Sequence, residues 1–412
     1  MQKRHLVSFV LSMAVATSAS AAGYQLQEYS VTNLGRAFAG VGVMGDDYSA
    51  VAFNPAGMSL MDKSGIQMGA IAVDVYGKVK GESTTPAGNP PALQKKTGRT
   101  HSNLFRVLPH LYGQKKINDK LDLGIGLYVP FGLANDYKNG WFGSEHGEYS
   151  GITVVDLTPS VSYKILDTLS IGAGVNLQYT VAHLTGGVVG GGHTNMRDAD
   201  DIGVGYNVGL VWQPQKSTRF GVSYRSKVNH KLQGKNDMSS TYRSYLNGTH
   251  DVSAKITTPE TVIFSAAQDL NDKWTISGIA RFTRWTRFDT LNIYQDKKPM
   301  STTHEKWENT WYFGAGADYR YCKNLTFRFG AAWDNTAVSS AKYRTARIPD
   351  ERRIWTSIGA TYTKNNWQFD VGYSHLFVHS AKERGAAVGP STFDAKYHIQ
   401  SNIFGMGLQY KF

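Results

Sequence analysis

Through most of the chain, large apolar side chains recur at every second position. Between residues 202 and 212 one parity reads Ile202, Val204, Tyr206, Val208, Leu210 and Trp212, while the other includes Gly203, Gly205, Asn207 and Gly209. Residues 169–181, 325–333 and 367–377 repeat the pattern. A period of two puts alternate side chains on opposite faces of a β-strand. The second faces are too polar and too rich in glycine for a protein core. Strands of soluble sandwiches are usually about five or six residues long, whereas these runs match the ten or so needed to cross a bilayer at a tilt.

Short polar turns at Asn118-Asp119-Lys120, Leu166-Asp167-Thr168, Pro214-Gln215-Lys216, Asn271-Asp272-Lys273, Cys322-Lys323-Asn324 and Lys364-Asn365-Asn366 punctuate the pattern. With the two chain ends, these turns predict seven hairpins, or about fourteen antiparallel strands. Between them, residues 81–102, 184–201, 232–252, 289–305 and 382–395 are polar and rich in glycine, and are expected as long loops at the opposite end. The layout predicts an all-β transmembrane antiparallel barrel over residues 63–412. Phe404, Met406, Leu408, Tyr410 and Phe412 share one face of the last segment. A final strand ending on Phe is what barrel-assembly machinery reads during insertion.

The N-terminus supplies the compartment. Lys3, Arg4 and His5 precede a short apolar stretch and the small residues Ala19-Ser20-Ala21, a pattern that predicts a signal peptide over residues 1–21 and Ala22 as the mature first residue. Composition agrees with an exported barrel. Cys322 is the only cysteine, which excludes a disulfide framework and any cysteine-built metal centre. The formal charge of +12 falls to +10 without residues 1–21, which hold Lys3 and Arg4 and no acid. These cations are scattered among aromatic residues with no run of five, so nucleic acid is not the expected partner. Lipopolysaccharide phosphates, outer-membrane lipid or an anionic solute fit better.

Residues 22–62 lack long alternation and are rich in Gly, Ala and small polar residues. A barrel of this size leaks water unless its lumen is filled, so this segment is expected as a plug. Within it, Ala22-Gly23-Tyr24-Gln25-Leu26, Leu34-Gly35-Arg36-Ala37-Phe38-Ala39-Gly40, Asp46-Asp47 and Asn54-Pro55-Ala56 resemble the N-terminal hatch of the long-chain fatty acid transporter family of Gram-negative outer membranes. Tyr224-Arg225-Ser226, Trp285 with Phe288, Ile348-Pro349-Asp350 and Arg353-Ile354-Trp355 extend the resemblance along the mature chain. It implies a fourteen-stranded barrel plugged by the hatch, with Gly35, Arg36, Asp46, Asp47, Asn54 and Pro55 as hatch residues; the protein is further expected to be monomeric and to need no cofactor. Hydrophobic ligands would be captured outside, moved to a pocket at the mature N-terminus (Ala22, Gly23, Tyr24 and Leu26), and released sideways through a kinked third strand.

The third strand is expected over residues 121–129, with Pro130 next. Proline has no N–H for the ladder. It therefore either opens a lateral gate at Val129, Pro130, Phe131 and Gly132 or simply ends the strand. Tyr137, Trp141 and Phe142 form either an outer capture groove or part of a membrane girdle. Relatives hold the acid group with Ser, Arg and Lys, and the positions aligned with these are Val129, Gly186 and Glu308. Either His183, Arg281 or Arg284 substitutes, or the ligand is a neutral aromatic hydrocarbon.

Other motifs carry little. Gly40, Gly42 and Gly45 spell a dinucleotide-type spacing without a βαβ unit around it, and His375 with His379 lacks a third metal ligand. The functional expectation is passive uptake of hydrophobic compounds, most specifically long-chain fatty acids, without catalysis or metal. A neutral-hydrocarbon transporter, a general diffusion porin and a barrel lipase are the alternatives.

Overall fold

The computed structural model describes residues 22–87, 92–241 and 243–412. The expected signal peptide lies outside the described residues. One sheet closes on itself, built from β1 (Gly65–Ala87), β2 (Ala92–Lys116), β3 (Leu121–Asp136), β4 (Tyr149–Leu166), β5 (Leu169–Gly187) and β6 (Gly192–Gln215). It continues through β7 (Thr218–Arg225), β8 (Val228–Ser240), β9 (Gly248–Thr258), β10 (Thr261–Asp269), β11 (Trp274–Thr283), β12 (Thr290–Gln295), β13 (Lys298–His304) and β14 (Thr310–Cys322). The last segments are β15 (Leu325–Asp334), β16 (Arg353–Lys364), β17 (Trp367–Val378), β18 (Ala381–Val388) and β19 (Ser391–Lys411). Five pairs (β7 with β8, β9 with β10, β11 with β12, β13 with β14, and β17 with β18) each run as one interrupted strand, giving a wall of 14 antiparallel strands. β1 closes it against β19, from Gly65 opposite Lys411 to Thr84 opposite Thr392.

The alternating apolar faces point outward. Ile202 and Val204 are 67% and 64% exposed, as lipid-facing side chains are when the bilayer is absent. All six short turns fall at one end. At the other end the structure departs from the expected loops: residues 81–87 and 92–98, for example, continue β1 and β2 as a paired hairpin. Leaving the lipid removes the need for an apolar face, which ends the sequence signal, but the backbone still pairs.

The N-terminal segment fills the lumen with short elements: α1 (Val31–Leu34), α2 (Ala50–Phe53) and a 3-10 turn at Pro55–Leu60. The Ser30 side chain caps α1 by accepting from the Asn33 N–H at 3.1 Å. Asn54 caps the 3-10 turn through the Ala56 N–H at 3.2 Å, with Pro55 at its first position. Positive φ at Gly40 and Gly42 (+71° and +77°) folds the segment back on itself. A Cβ on Gly35 would lie 2.9 Å from Gly359 Cα in the wall, so only glycine lets plug and barrel meet there.

Charge ties the plug to the wall. Buried Arg36 donates to both carboxylate oxygens of Asp46 at 2.8 Å and to Asp318 of β14 at 2.8 Å. Arg328 of β15 reaches the same two acids at 3.1 and 3.2 Å. Asp47 accepts from Ser49 at 2.7 Å and from Ser30. An unpaired buried charge is costly, so each of these groups depends on the others.

Candidate functional site

The third strand parts from one neighbour and keeps the other. β2 pairs with β3 only from Leu111 opposite Leu127 to Lys116 opposite Asp122. β4 accompanies β3 as far as Tyr149 opposite Asp136, with a register slip between Tyr128 and Phe131. Val129 and Pro130 thus form a bulge, a position open to a residue without an N–H. The strand does not stop at Val129, but its edge toward β2 is bare beyond Leu127.

The N-terminus covers that edge from inside. The Leu26 N–H donates to the Pro130 carbonyl at 2.8 Å, the Gly132 N–H donates to the Tyr24 carbonyl at 2.9 Å, and Gln25 sits opposite Phe131. The Asp136 N–H reaches Ser102 Oγ of β2 at 3.1 Å, where the two strands approach again. Between these points residues 103–110 of β2 have β1 on one side and, among the described residues, no strand on the other.

Above this strip lies an apolar cavity of about 110 Å³. Its walls include Tyr24, Leu133, Ile152, Leu232, Ile256, Phe288 and Leu291. The Tyr24 ring meets Trp285, Phe288, Trp307 and Phe131 at centroid distances of 4.7, 5.6, 5.8 and 6.0 Å. Offset and edge contacts of this kind stabilise beyond the area they bury. Its two ionisable groups besides the Tyr24 phenol are Glu305 and Arg347. Burial pushes the Glu305 carboxyl up to about 8, so it is largely neutral at pH 7. Arg347 donates through Nη1 to the Tyr149 carbonyl at 3.1 Å and to Ser150 Oγ at 2.8 Å. Its Nε and Nη2 meet no acceptor among the described residues. Burial lowers the guanidinium to about 10, which leaves it charged.

Two glycines make room for that cation. A Cβ on Gly186 would lie 3.2 Å from Arg347 Nη2, and one on Gly147 would lie 3.0 Å from its Cγ. The arginine expected from the position of Gly186 is absent, and a guanidinium from residue 347 occupies the space. Sequence reading missed Arg347, although it stands immediately before the Ile348-Pro349-Asp350 motif.

A second cavity, of about 50 Å³, lies toward the outer end between Leu104, Tyr137, Leu376 and Tyr397. Leu133 lines both cavities.

The remaining expected residues divide. The Ala22 and Gly23 N–H groups donate to Asp334 and Asp350, each at 3.2 Å, below the Tyr24 ring. Leu26 and Val129 are buried in the central cluster of plug and wall and do not line the apolar cavity. Arg281 is buried over the Tyr312 ring at 4.9 Å, also away from it. His183 is exposed and bonded to Asn195 at 2.8 Å. Arg284 is half-exposed and paired with Glu260 at 3.1 Å. Glu308 is exposed. Tyr137, Trp141 and Phe142 are buried among themselves and Phe393, with Tyr137 stacked on Trp141 at 4.4 Å, rather than forming an open groove. They are also too deep for a membrane girdle.

Comparison with known proteins decides the family. Residues 12–412 match the model described as outer membrane protein transport protein (OMPP1/FadL/TodX). The chain belongs to this family. Outer membrane protein P1 of Haemophilus influenzae is 28% identical over 97% of each chain, and the long-chain fatty acid transport protein of Escherichia coli K12 is 27% identical over 100% of each. The crystal structure of a Pseudomonas aeruginosa FadL homologue superposes with a TM-score of 0.87, at 24% identity over 95% of this chain and all of that one. The Pseudomonas putida toluene transporter TodX gives 0.72, at 17% identity over 95% and 100%. The protein is thus an outer-membrane transporter of hydrophobic compounds from a Gram-negative bacterium, and not an enzyme.

Proposed function

We propose that the protein takes up long-chain fatty acids, with the acyl chain in the apolar cavity at Tyr24 and the carboxylate on Arg347. The observation that carries this reading is the guanidinium itself, which has donors to spare at the rim of an otherwise apolar chamber. A carboxylate placed there gains charge-assisted hydrogen bonds from donors that meet no acceptor among the described residues. Neutral Glu305 does not oppose it.

In this account the ligand passes from the Tyr137 cavity past Leu133 to the Tyr24 cavity. It displaces the segment from Tyr24 to Leu26 from the bare edge of β3 and leaves sideways between β2 and β3 into the bilayer. Val129, Pro130, Phe131 and Gly132 form the gate. Lateral release suits a lipid, because each CH2 is worth about 0.8 kcal/mol when buried and the periplasm would forfeit that. No step requires a cofactor or nucleotide.

A second reading, uptake of neutral aromatic compounds, is favoured by the small cavity volume and by the Tyr24 and Phe288 rings in its otherwise aliphatic wall. Labelled oleate and labelled toluene, offered to cells that lack their own transporter and express this chain folded in the outer membrane, separate the two. Oleate uptake lost on removing residues 22–26 supports the first reading. Toluene uptake without oleate uptake supports the second.

A further inference from the structure

We propose that the outer wall carries a docking site for the phosphate groups of a phosphorylated glycolipid of the outer leaflet, formed by Lys382, Lys396, Lys80 and Arg99. Register alone gathers these residues. Lys382 of β18 lies opposite Lys396 of β19, Lys396 lies opposite Lys80 of β1, and Lys80 lies opposite Arg99 of β2. Directly opposed residues share a face, so four cations stand in one row across four adjacent strands, spanning about 14 Å in three interstrand steps. All four are exposed on the outward face.

Their height on the barrel fits a headgroup. Nearer the membrane on the same face come Lys78 opposite His398 and His101, then Tyr76 opposite Gln400 and Asn103. One rung further in, exposed Asp74 lies opposite Asn402 and Phe105, and beyond it the wall is apolar, with Phe404 52% and Met406 73% exposed. The cation row thus lies just beyond the tyrosine level, where lipid phosphates sit.

Among the described residues no carboxylate lies within hydrogen-bonding or ion-pairing distance of any of the four. The next rung outward holds Glu82 opposite Asp394, but Glu82 is engaged by Lys95 at 2.8 Å and Asp394 accepts the Gly385 N–H at 3.1 Å. Like charges directly opposed across a sheet destabilise it. A second-copy interface would set two such rows against each other, whereas a glycolipid brings phosphates for the cations and acyl chains for the apolar wall below.

The test is equilibrium binding of bisphosphoryl lipid A to the purified full-length barrel in detergent. Replacing Lys80, Arg99, Lys382 and Lys396 together by Gln is expected to weaken binding about tenfold or more, and dephosphorylated lipid A should bind wild type as weakly. Replacing Lys120, Lys216, Lys273 and Lys323 at the short turns by Gln makes the same charge change and should leave binding intact. The wall variant should melt no lower than wild type without lipid A, since it removes opposed like charges. The pair Lys80→Gln with Lys396→Gln gives a partial loss should the full set fold poorly. Undiminished binding by the wall variants, an equal loss in the turn variant, or inorganic phosphate bound as tightly as lipid A would each overturn the proposal.

Discussion

The Gly132 N–H donates to the Tyr24 carbonyl at 2.9 Å, so the residue just past the bulge in β3 holds the residue whose ring walls the apolar cavity. Seal and pocket are one piece of chain. In the proposed route, a ligand that shifts the Tyr24 ring would strain the backbone bond that covers the strand edge, coupling occupancy to opening without any distant relay.

Tyr24→Ala removes a ring buried against four aromatic neighbours. Comparable truncations cost about 3–5 kcal/mol, here drawn from the local seating of the N-terminal segment. Oleate uptake by expressing cells is expected to fall to the level of cells without the protein, while the barrel still shows its folded electrophoretic mobility.

Arg347→Gln keeps a hydrogen-bonding group, on a shorter side chain, and removes the charge. A charge-assisted hydrogen bond contributes about 1.5–3 kcal/mol, so oleate affinity should weaken about 10–100-fold. Toluene binding should not change. Titration of the purified variant with both ligands checks this.

Glu305 sets a pH limit. Burial raises its folded-state value from the ordinary 4.5 to about 8. Its contribution to stability is therefore fully present below 4.5 and is lost as pH rises through 8. Above that pH its negative charge shares the cavity with the ligand carboxylate. Oleate affinity is expected to fall as pH passes 8, and Glu305→Gln should abolish that fall. Binding measured across this range checks both.

Arg36→Met leaves Asp46 and Asp318 with Arg328 as their remaining cation. Breaking a buried pair costs about 3–5 kcal/mol. The plug should loosen before the hydrogen-bonded wall does, and ion conductance across planar bilayers should rise above that of wild type.

Period-two alternation made the barrel legible from sequence, because lipid demands an apolar face at every second position and the short turns leave little choice of partner. Plug and family were legible through contiguous motifs such as Asn54-Pro55-Ala56, whose cap chemistry is local. Arg347 was not, since it lies between β15 and β16, where no periodicity marks which side chains turn inward. Tyr137, Trp141 and Phe142 read as surface aromatics because their cover, Phe393, is about 250 residues away in the chain. Pro130 pointed to a break in pairing, but only the register shows that β2 departs while β4 stays. The row of Lys80, Arg99, Lys382 and Lys396 depends on register in the same way.

The most direct test of lateral release closes the edge of β3. Pro130→Val restores an N–H to the ladder, and Gly132→Ala narrows the backbone freedom there. With both changes, purified protein should bind oleate as wild type does, because Tyr24 and Arg347 are untouched, while oleate uptake by cells should be lost. Uptake that continues at the wild-type rate, with binding intact, would contradict exit between β2 and β3.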